Sequence, residues 1–510
     1  MNSTWPLRTD RAETKQAFNF LMDYDRFNSR DKDKEDIMVL EQLFLNTDGF
    51  ALSLDHQQPL FISRKVGADP QLCFTVANVP PYNVNDHDAA YLDIKFKVFA
   101  SKNVRAVTDY VVHDSGVMPK VTAVPDESVF RHPTWFLWEM NHYETQHGVD
   151  MFLNETVQHG FTAEHSQLSL DFWESDYGNY TFAKGRYPKP DDMLTNLTGH
   201  NFAVGVPFYG PFLNVDHKTA ETEKLFVKNS KGKVSNIVDF SNPAAAKLYH
   251  DRLTALLGPK KLDIIQLFPH FTIGSDFVVS DPVAQKYPSI LTTRYLEEVV
   301  KLGKKIVISE FAFNSQHLPV FTRLTNNYRE SYGQQLREIV ADTLSVSLAG
   351  YSFVIPYSAG GFFSGFKPSE EEFIRMVQAI TFMPAMSFTR KPWQYTDKTV
   401  NLTKALLKLH AEHVPTIIDL AKKRLTTGSP IIRPLWYLTP DDVKTYAIND
   451  QFLLGDDILV APVLTVGQRE RSVYFPAGTW TDQHGKAYTG PSEAKVQAPL
   501  EELPYFKRKH

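Results

Sequence analysis

The sequence predicts an α/β chain of three units: a (β/α)8 barrel flanked by an N-terminal β-sandwich and a C-terminal β-sandwich. Three observations predict it. Between about residues 130 and 425, short apolar runs alternate with longer amphipathic stretches, the pattern of buried parallel strands and covering helices. Strand-like segments punctuated by Pro, Asn and Asp occupy the residues before that region, and hairpin-like segments the residues after it. The length, 510 residues, exceeds what one hydrophobic core organises. The units are placed at 1–125, 126–427 and 428–510.

In the first unit the strand signals are "FALSLD" (50–55), "QLCFTVANV" (71–79) and "YLDIKFKVFA" (91–100). Their alternation suits a sandwich with one face buried. The second unit carries the runs "QLSLDFW" (167–173), "NFAVGVPFYG" (201–210), "LDIIQLF" (262–268), "KIVISEF" (305–311) and "GYSFVIPY" (350–357). Helical periodicity lies between and after them, at 242–257, 295–301, 334–348 and 402–424. The length favours a barrel, with a doubly wound sheet as the competitor. In the third unit "TYAIND", "QFLLGDDILVAPVL" and "RSVYFPAGTWTDQHGKAYTG" read as hairpins.

Bulk properties narrow the partners. Hydrophobic residues make up 43% and charged residues 22%, as in an ordinary globular chain, and the net charge of −5 gives no reason to expect a nucleic acid. Cys73 is the single cysteine, which excludes an intrachain disulfide and a cysteine-based metal site. No spacing of His, Asp and Glu argues for a metal and no Gly-rich loop follows a strand, so no cofactor is expected. No run of 18 apolar residues exists that could span a membrane. Five acceptor triplets, at Asn2, Asn154, Asn179, Asn196 and Asn401, point to the secretory pathway, extracellular or lumenal. The N-terminus is polar and lacks the apolar core of a signal peptide. The expectation is a fragment whose signal peptide or anchor is missing.

The most specific motifs come late. "GSPIIRPLWYLTPDD" (428–442) and "DQFLLGDDILVAPVLTVGQRERSVYFPAGTWTD" (450–482) resemble the barrel-to-sandwich junction of glycoside hydrolase family 31. Further segments are similar to the branch of that family containing the myogenesis-regulating glycosidase: "FLNTDGFALSLD" (44–55), "SKNVRAVTDYVV" (101–112), "PDESVFRHPTW" (125–135), "IVDFSNPAAAKLYHDRL" (237–253), "NSQHLPVFTRL" (314–324) and "GYSFVIPYSAGG" (350–361). The resemblance covers roughly residues 40–508. It implies a retaining α-glycosidase scaffold, acting on α-glucosides or α-galactosides. In such an enzyme one carboxylate attacks the anomeric carbon and a second protonates the leaving oxygen.

Set against the branch's motifs, both carboxylates are replaced. The branch's nucleophile stretch reads F-K-F-D-A-G-E; here "IIQLFPHF" puts Phe268 at the attacking position and Phe271 at the glutamate. The acid stretch reads R-M-x-D-K-D-S; here "RLTNNY" is one residue shorter and leaves Asn326 or Asn327 nearest the acid. A neutral amide cannot supply the proton. Tyr357 stands for the aspartate of a P-D-x-x-G-G turn, and Asp171 alone remains of an aspartate doublet.

The resemblance therefore implies a glycan- or protein-binding pseudoenzyme. The alternative is an active α-glycosidase using relocated carboxylates among Asp171, Glu174, Asp276 and Glu310. Trp135, Asp171, Trp173 and Arg323 are the candidate sugar-binding residues, with core packing, loop capping and salt bridging as their ordinary readings. Asp239 is expected to organise the turn before the Asn242-Pro243 helix start. His270, alone, is assigned no role. A protein partner is not identifiable from the sequence.

Overall fold

The structure, a computed structural model, describes residues 15–17, 41–58, 60–65, 71–77, 93–137, 144–161, 166–215, 219–268, 277–324, 332–361 and 367–510. At its centre is a parallel barrel of eight strands in chain order. They are β1 (Thr134–Phe136), β2 (Gln167–Ser169), β3 (Ala203–Phe208), β4 (Ile264–Leu267), β5 (Ile306–Ser309), β6 (Phe321–Arg323), β7 (Val354–Ile355) and β8 (Ser387–Phe388). Strand β8 pairs with β1, and a parallel bridge from Ala359 to Phe388 closes the ring on the β7 side. The open sheet considered from periodicity is thus replaced by a barrel. Residues of β1, β2, β4, β5 and β6 are buried throughout. Filling on one face and helices on the other explain why these strands read as apolar runs rather than alternating ones.

The four periodic stretches form helices, three of them longer than the pattern showed, and three further helices join them. They are α1 (Gln146–Gln158), α2 (Pro190–Gly199), α3 (Pro243–Leu257), α4 (Ser289–Lys301), α5 (Tyr332–Leu348), α6 (Glu370–Ile380) and α7 (Asp397–Thr427). Local chemistry sets their ends. Asn242 caps α3, with Pro243 at the first helical position, and Ser369 with Glu372 forms a capping box on α6. Gly428, in the left-handed conformation, stops α7. One crossover departs from the βα repeat: residues 310–320, between β5 and β6, contain no helix.

Antiparallel sheets flank the barrel. On the N-terminal side Leu43–Leu45, Phe50–Leu54 and Phe96–Ala100 form one three-stranded sheet, and Lys15–Ala17, Leu60–Lys65 and Gln71–Val76 another. The stretch at 101–112, read as part of a β-domain, is instead a helix over Val104–His113 capped by Asn103. Its Val107 and Val111 pack on Ala51 of the first sheet. After α7 the chain forms a six-stranded antiparallel sheet whose core includes Leu435, Phe475, Trp480 and Phe506. Among the described residues no helix is long and apolar enough to cross a membrane.

Candidate functional site at the barrel mouth

In a closed parallel barrel, functional side chains come from the C-terminal ends of the strands. Here those ends carry a buried polar chain. Ser169, at the end of β2, donates to the Gln266 side chain of β4 at 3.0 Å, and Gln266 donates to Glu310 after β5 at 3.3 Å. Arg323, at the end of β6, makes a close ion pair with Glu310 and donates to Ser358 after β7 at 3.1 Å. Ser358 meets Ser387 of β8 across 2.8 Å. All six side chains are buried. Polar groups can stay in such an interior only when bonded to one another.

An aromatic cluster adjoins this chain. Phe136 at the end of β1, Tyr209 after β3 and Phe268 after β4 pack together. The Tyr209 and Phe268 rings stack with centroids 5.7 Å apart, and the Arg323 guanidinium lies 4.0 Å from the Phe136 centroid. Tyr209 also accepts the backbone N–H of Phe172 at 2.9 Å, which helps hold Phe172 at φ 53°, uncommon for a bulky residue. Phe268 is 1% exposed.

Asp171 immediately precedes Phe172. Its carboxylate is buried, and neither oxygen has a hydrogen-bond partner. Burial drives its pKa well above the usual carboxylate range; Arg323 and Lys391 pull it down, while Glu310 and Glu144 push it further up. Arg323 is already engaged with Glu310, and neither Asp171 oxygen has a bonded cation among the described residues.

The remaining expected residues divide sharply. Trp135 is the neighbour of Phe136 on β1 but points the other way, as alternation requires. It is fully buried against Phe152 and Phe161 of the helical layer, Phe388 and Trp393. Trp173 is fully buried too, donates to the Pro207 carbonyl at 2.8 Å and meets Phe182 edge-on. Both tryptophans are core residues, a correction to the expected sugar platforms. Glu174 is a loop tie: it accepts the Gly178 N–H at 2.9 Å. Tyr357 donates to Asp342 of α5 at 2.7 Å. Asp239 does organise the turn before α3, accepting from Ser241 N–H at 2.9 Å and from Ser280 N–H at 2.7 Å. His270, Phe271, Asp276, Asn326 and Asn327 lie outside the described residues. Sequence reasoning missed Ser169, Gln266, Ser358, Phe136 and Tyr209. The signal was available for Ser169 and Gln266: polar residues inside otherwise apolar strands need a buried partner.

The two acids of the β2 loop make stability pH-dependent. Burial raises Glu174 from 4.5 to about 8. A raised carboxyl pKa means the folded state holds the proton more tightly than the unfolded chain. Its contribution is therefore complete below pH 4.5 and is lost as pH rises toward about 8. Glu174→Gln keeps the acceptor for Gly178 and removes the charge. Relative to wild type, its thermal midpoint is expected to climb steadily between pH 5 and pH 8.5, by an amount on the order of a few kcal/mol in stability. A constant offset across that range would refute this origin.

With this geometry in place, comparisons with known proteins can be set beside it. Residues 133–281 match the model of the glycosyl hydrolase family 31 TIM-barrel domain, and residues 428–510 that of the family's C-terminal domain. Myogenesis-regulating glycosidase of Mus musculus is 27% identical, over 98% of this chain and 72% of its own length. SITS-binding protein of Tetronarce californica is 27% identical, over 88% of this chain and 65% of its own length. Among solved structures, a GH31 α-xylosidase from a soil metagenome, complexed with xylose, superposes with a TM-score of 0.74 at 20% identity, covering 92% of this chain and 73% of that one. The cycloalternan-degrading enzyme of Trueperella pyogenes, in complex with isomaltose, gives 0.78 at 17% identity, covering 99% and 77%. These structural likenesses speak for the fold alone. Two domain matches in the family's order, on an eight-stranded parallel barrel, place residues 133–281 and 428–510 with the domains of glycoside hydrolase family 31, and the chain as a whole resembles the myogenesis-regulating glycosidase.

Proposed function

We propose that this barrel binds a glycan or glycoside at its mouth and does not hydrolyse it. The observation that carries the reading is Phe268. The family motif assigns its place, directly after β4, to the nucleophile, and the ring there is buried against Phe136 and Tyr209. A phenyl ring can neither attack an anomeric carbon nor stabilise a developing oxocarbenium ion as a carboxylate does. Glu310, the nearest candidate for a relocated carboxylate, is held by Arg323 and Gln266.

The ligand class follows from Asp171 and from the relatives' sugars. A buried carboxyl with both oxygens unbonded is suited to a hydroxyl-bearing ligand. The structural neighbours hold xylose, glucose and isomaltose. Calorimetric titration of the chain with each of these sugars tests the reading. One of them is expected to bind, and Asp171→Asn to weaken it by about tenfold, the value of one good hydrogen bond. Absence of binding for all three, or identical affinity in Asp171→Asn, removes the glycan from the proposal and leaves a protein-binding role.

Relocated chemistry has one observation in its favour, the raised pKa of Asp171, which suits a general acid. It lacks a second free carboxylate among the described residues of the mouth.

Secretory placement is part of the same proposal. Asn154, Asn196 and Asn401 are exposed on α1, α2 and α7. Asn179 is half-buried, and its amide is bonded to Asp176 and Asn214. In material from a glycosylating host, mass spectrometry is expected to find glycans on the first three and little on Asn179. Four bare asparagines would withdraw the localisation.

A further inference from the structure

Away from the mouth, an acid–imidazole pair sits where the N-terminal unit meets the barrel. Glu41 lies just before the strand Leu43–Leu45, and His56 just after Phe50–Leu54. Their barrel-side neighbours come from the helix-free crossover between β5 and β6 and from the segment preceding β7. One Glu41 oxygen accepts the Tyr351 hydroxyl at 2.6 Å and the Asn314 N–H at 2.8 Å. The other lies 3.9 Å from His56 Nε2 and accepts no hydrogen bond. Both ring nitrogens of His56 are buried without a hydrogen-bond partner. The ring meets Phe313 of the crossover edge-on at 5.0 Å.

The charged and titratable groups facing Glu41 are therefore His56 from its own unit and Tyr351 from the barrel. Besides Glu310, the crossover carries one further ionisable side chain, His317, and that pairs with Glu297 at 3.4 Å. The Tyr351 hydroxyl also accepts the Ser315 N–H at 3.2 Å. Glu41 is thus buried and, among the described residues, has no other counter-charge.

We propose that a proton on the buried Glu41 carboxyl, beside the His56 ring, docks the N-terminal unit onto the barrel. With that proton Glu41 is a neutral acid and needs no counter-charge. Without it, Glu41 is a buried carboxylate, and the Tyr351, Asn314 and Gln316 bonds and the nearby His56 ring offset only part of its desolvation. Burial raises the Glu41 pKa above 4.5, against the opposing pull of His56, Tyr351 and Asn314. The sign follows: docking is complete in acid and is lost as pH rises through the folded-state value. The N-terminal unit is a pH-sensitive attachment, tight in mildly acidic surroundings and looser in alkaline ones. Nothing in this depends on what the mouth binds.

Hydrogen exchange of the full chain between pH 6 and 9, corrected for intrinsic rates, tests it. Protection of residues 41–55 is expected to fall with pH, by up to tenfold per pH unit while the docked state keeps a proton that the undocked chain has lost, the limit for one linked proton. The C-terminal hairpin, Glu470–Asp482 with Ala487–Gln497, serves as the reference and should not change. Glu41→Gln, uncharged but still an acceptor for Tyr351 and Asn314, should hold protection flat. Tyr351→Phe removes a bond that stabilises the anion, which raises the folded-state value and should extend the loosening to higher pH. Flat protection in wild type, or the same slope in Glu41→Gln, overturns the proposal. If Glu41→Gln does not fold, Tyr351→Phe decides, and an unshifted midpoint overturns it.

Discussion

Arg323→Met is expected to destabilise the fold by about 3–5 kcal/mol, the range for removing one partner of a buried ion pair. The guanidinium is 2% exposed and does three things at once. It neutralises Glu310, donates to Ser358 and covers the face of Phe136. Methionine restores most of the volume and none of the charge, so Glu310 is left buried without the guanidinium that neutralises it. Glu310→Gln combined with Arg323→Met removes both charges and should recover most of the loss, because desolvation rather than pairing dominates such sites. Urea unfolding midpoints of the two single variants and the double variant check this. A cost below about 1 kcal/mol for Arg323→Met, typical of an exposed pair, would show that the ion pair does not hold the mouth.

Phe268→Asp is expected to produce no hydrolase and a weaker fold. The family motif makes it the obvious restoration, yet the carboxylate would enter a site lined by Phe136 and Tyr209. Burying an unpaired carboxylate among rings forces it to take up a proton or to disturb the packing, and a protonated acid is a poor nucleophile. On the proposed reading the acid position, at Asn326 or Asn327, would still carry an amide. Positioned acid catalysis is worth about 10²- to 10⁴-fold, and groups that act together do not restore activity singly. Unfolding and turnover assays on Phe268→Asp should both read down or unchanged relative to wild type. A folded, stable variant with activity would mean that the aromatic cluster yields more easily than its burial implies.

The barrel was legible because most of its strands are buried on both faces and therefore read as unbroken apolar runs. The crossover between β5 and β6 was not, since nothing in "FAFNSQHLPV" signals that a helix will be omitted rather than merely short. At the mouth, residue type was a poorer guide than position. Trp135 and Phe136 are adjacent and both aromatic, but strand alternation sends one to the helices and the other to the barrel interior. Without a fixed register the sequence could not say which was which. Asp171 was marked correctly as a strand-end acid. That its oxygens would find neither a cap nor a salt bridge depends on Arg323 being taken by Glu310, a contact between residues 13 positions apart in sequence. The motif resemblance marked Phe268 and Tyr357 as departures from the branch's pattern, but their burial and bonding needed the structure.

The most direct test of the central claim is turnover of activated aryl α-glucosides and α-galactosides by the purified wild-type chain. The Asp171→Asn, Glu310→Gln double variant serves as control. Wild-type rates indistinguishable from the control and from buffer are the predicted result, since neither the Phe268 ring nor the Arg323-bound Glu310 can attack an anomeric carbon. Clear wild-type turnover that the double variant abolishes would contradict it, and would mean that the chemistry of this barrel has moved to Asp171 and Glu310.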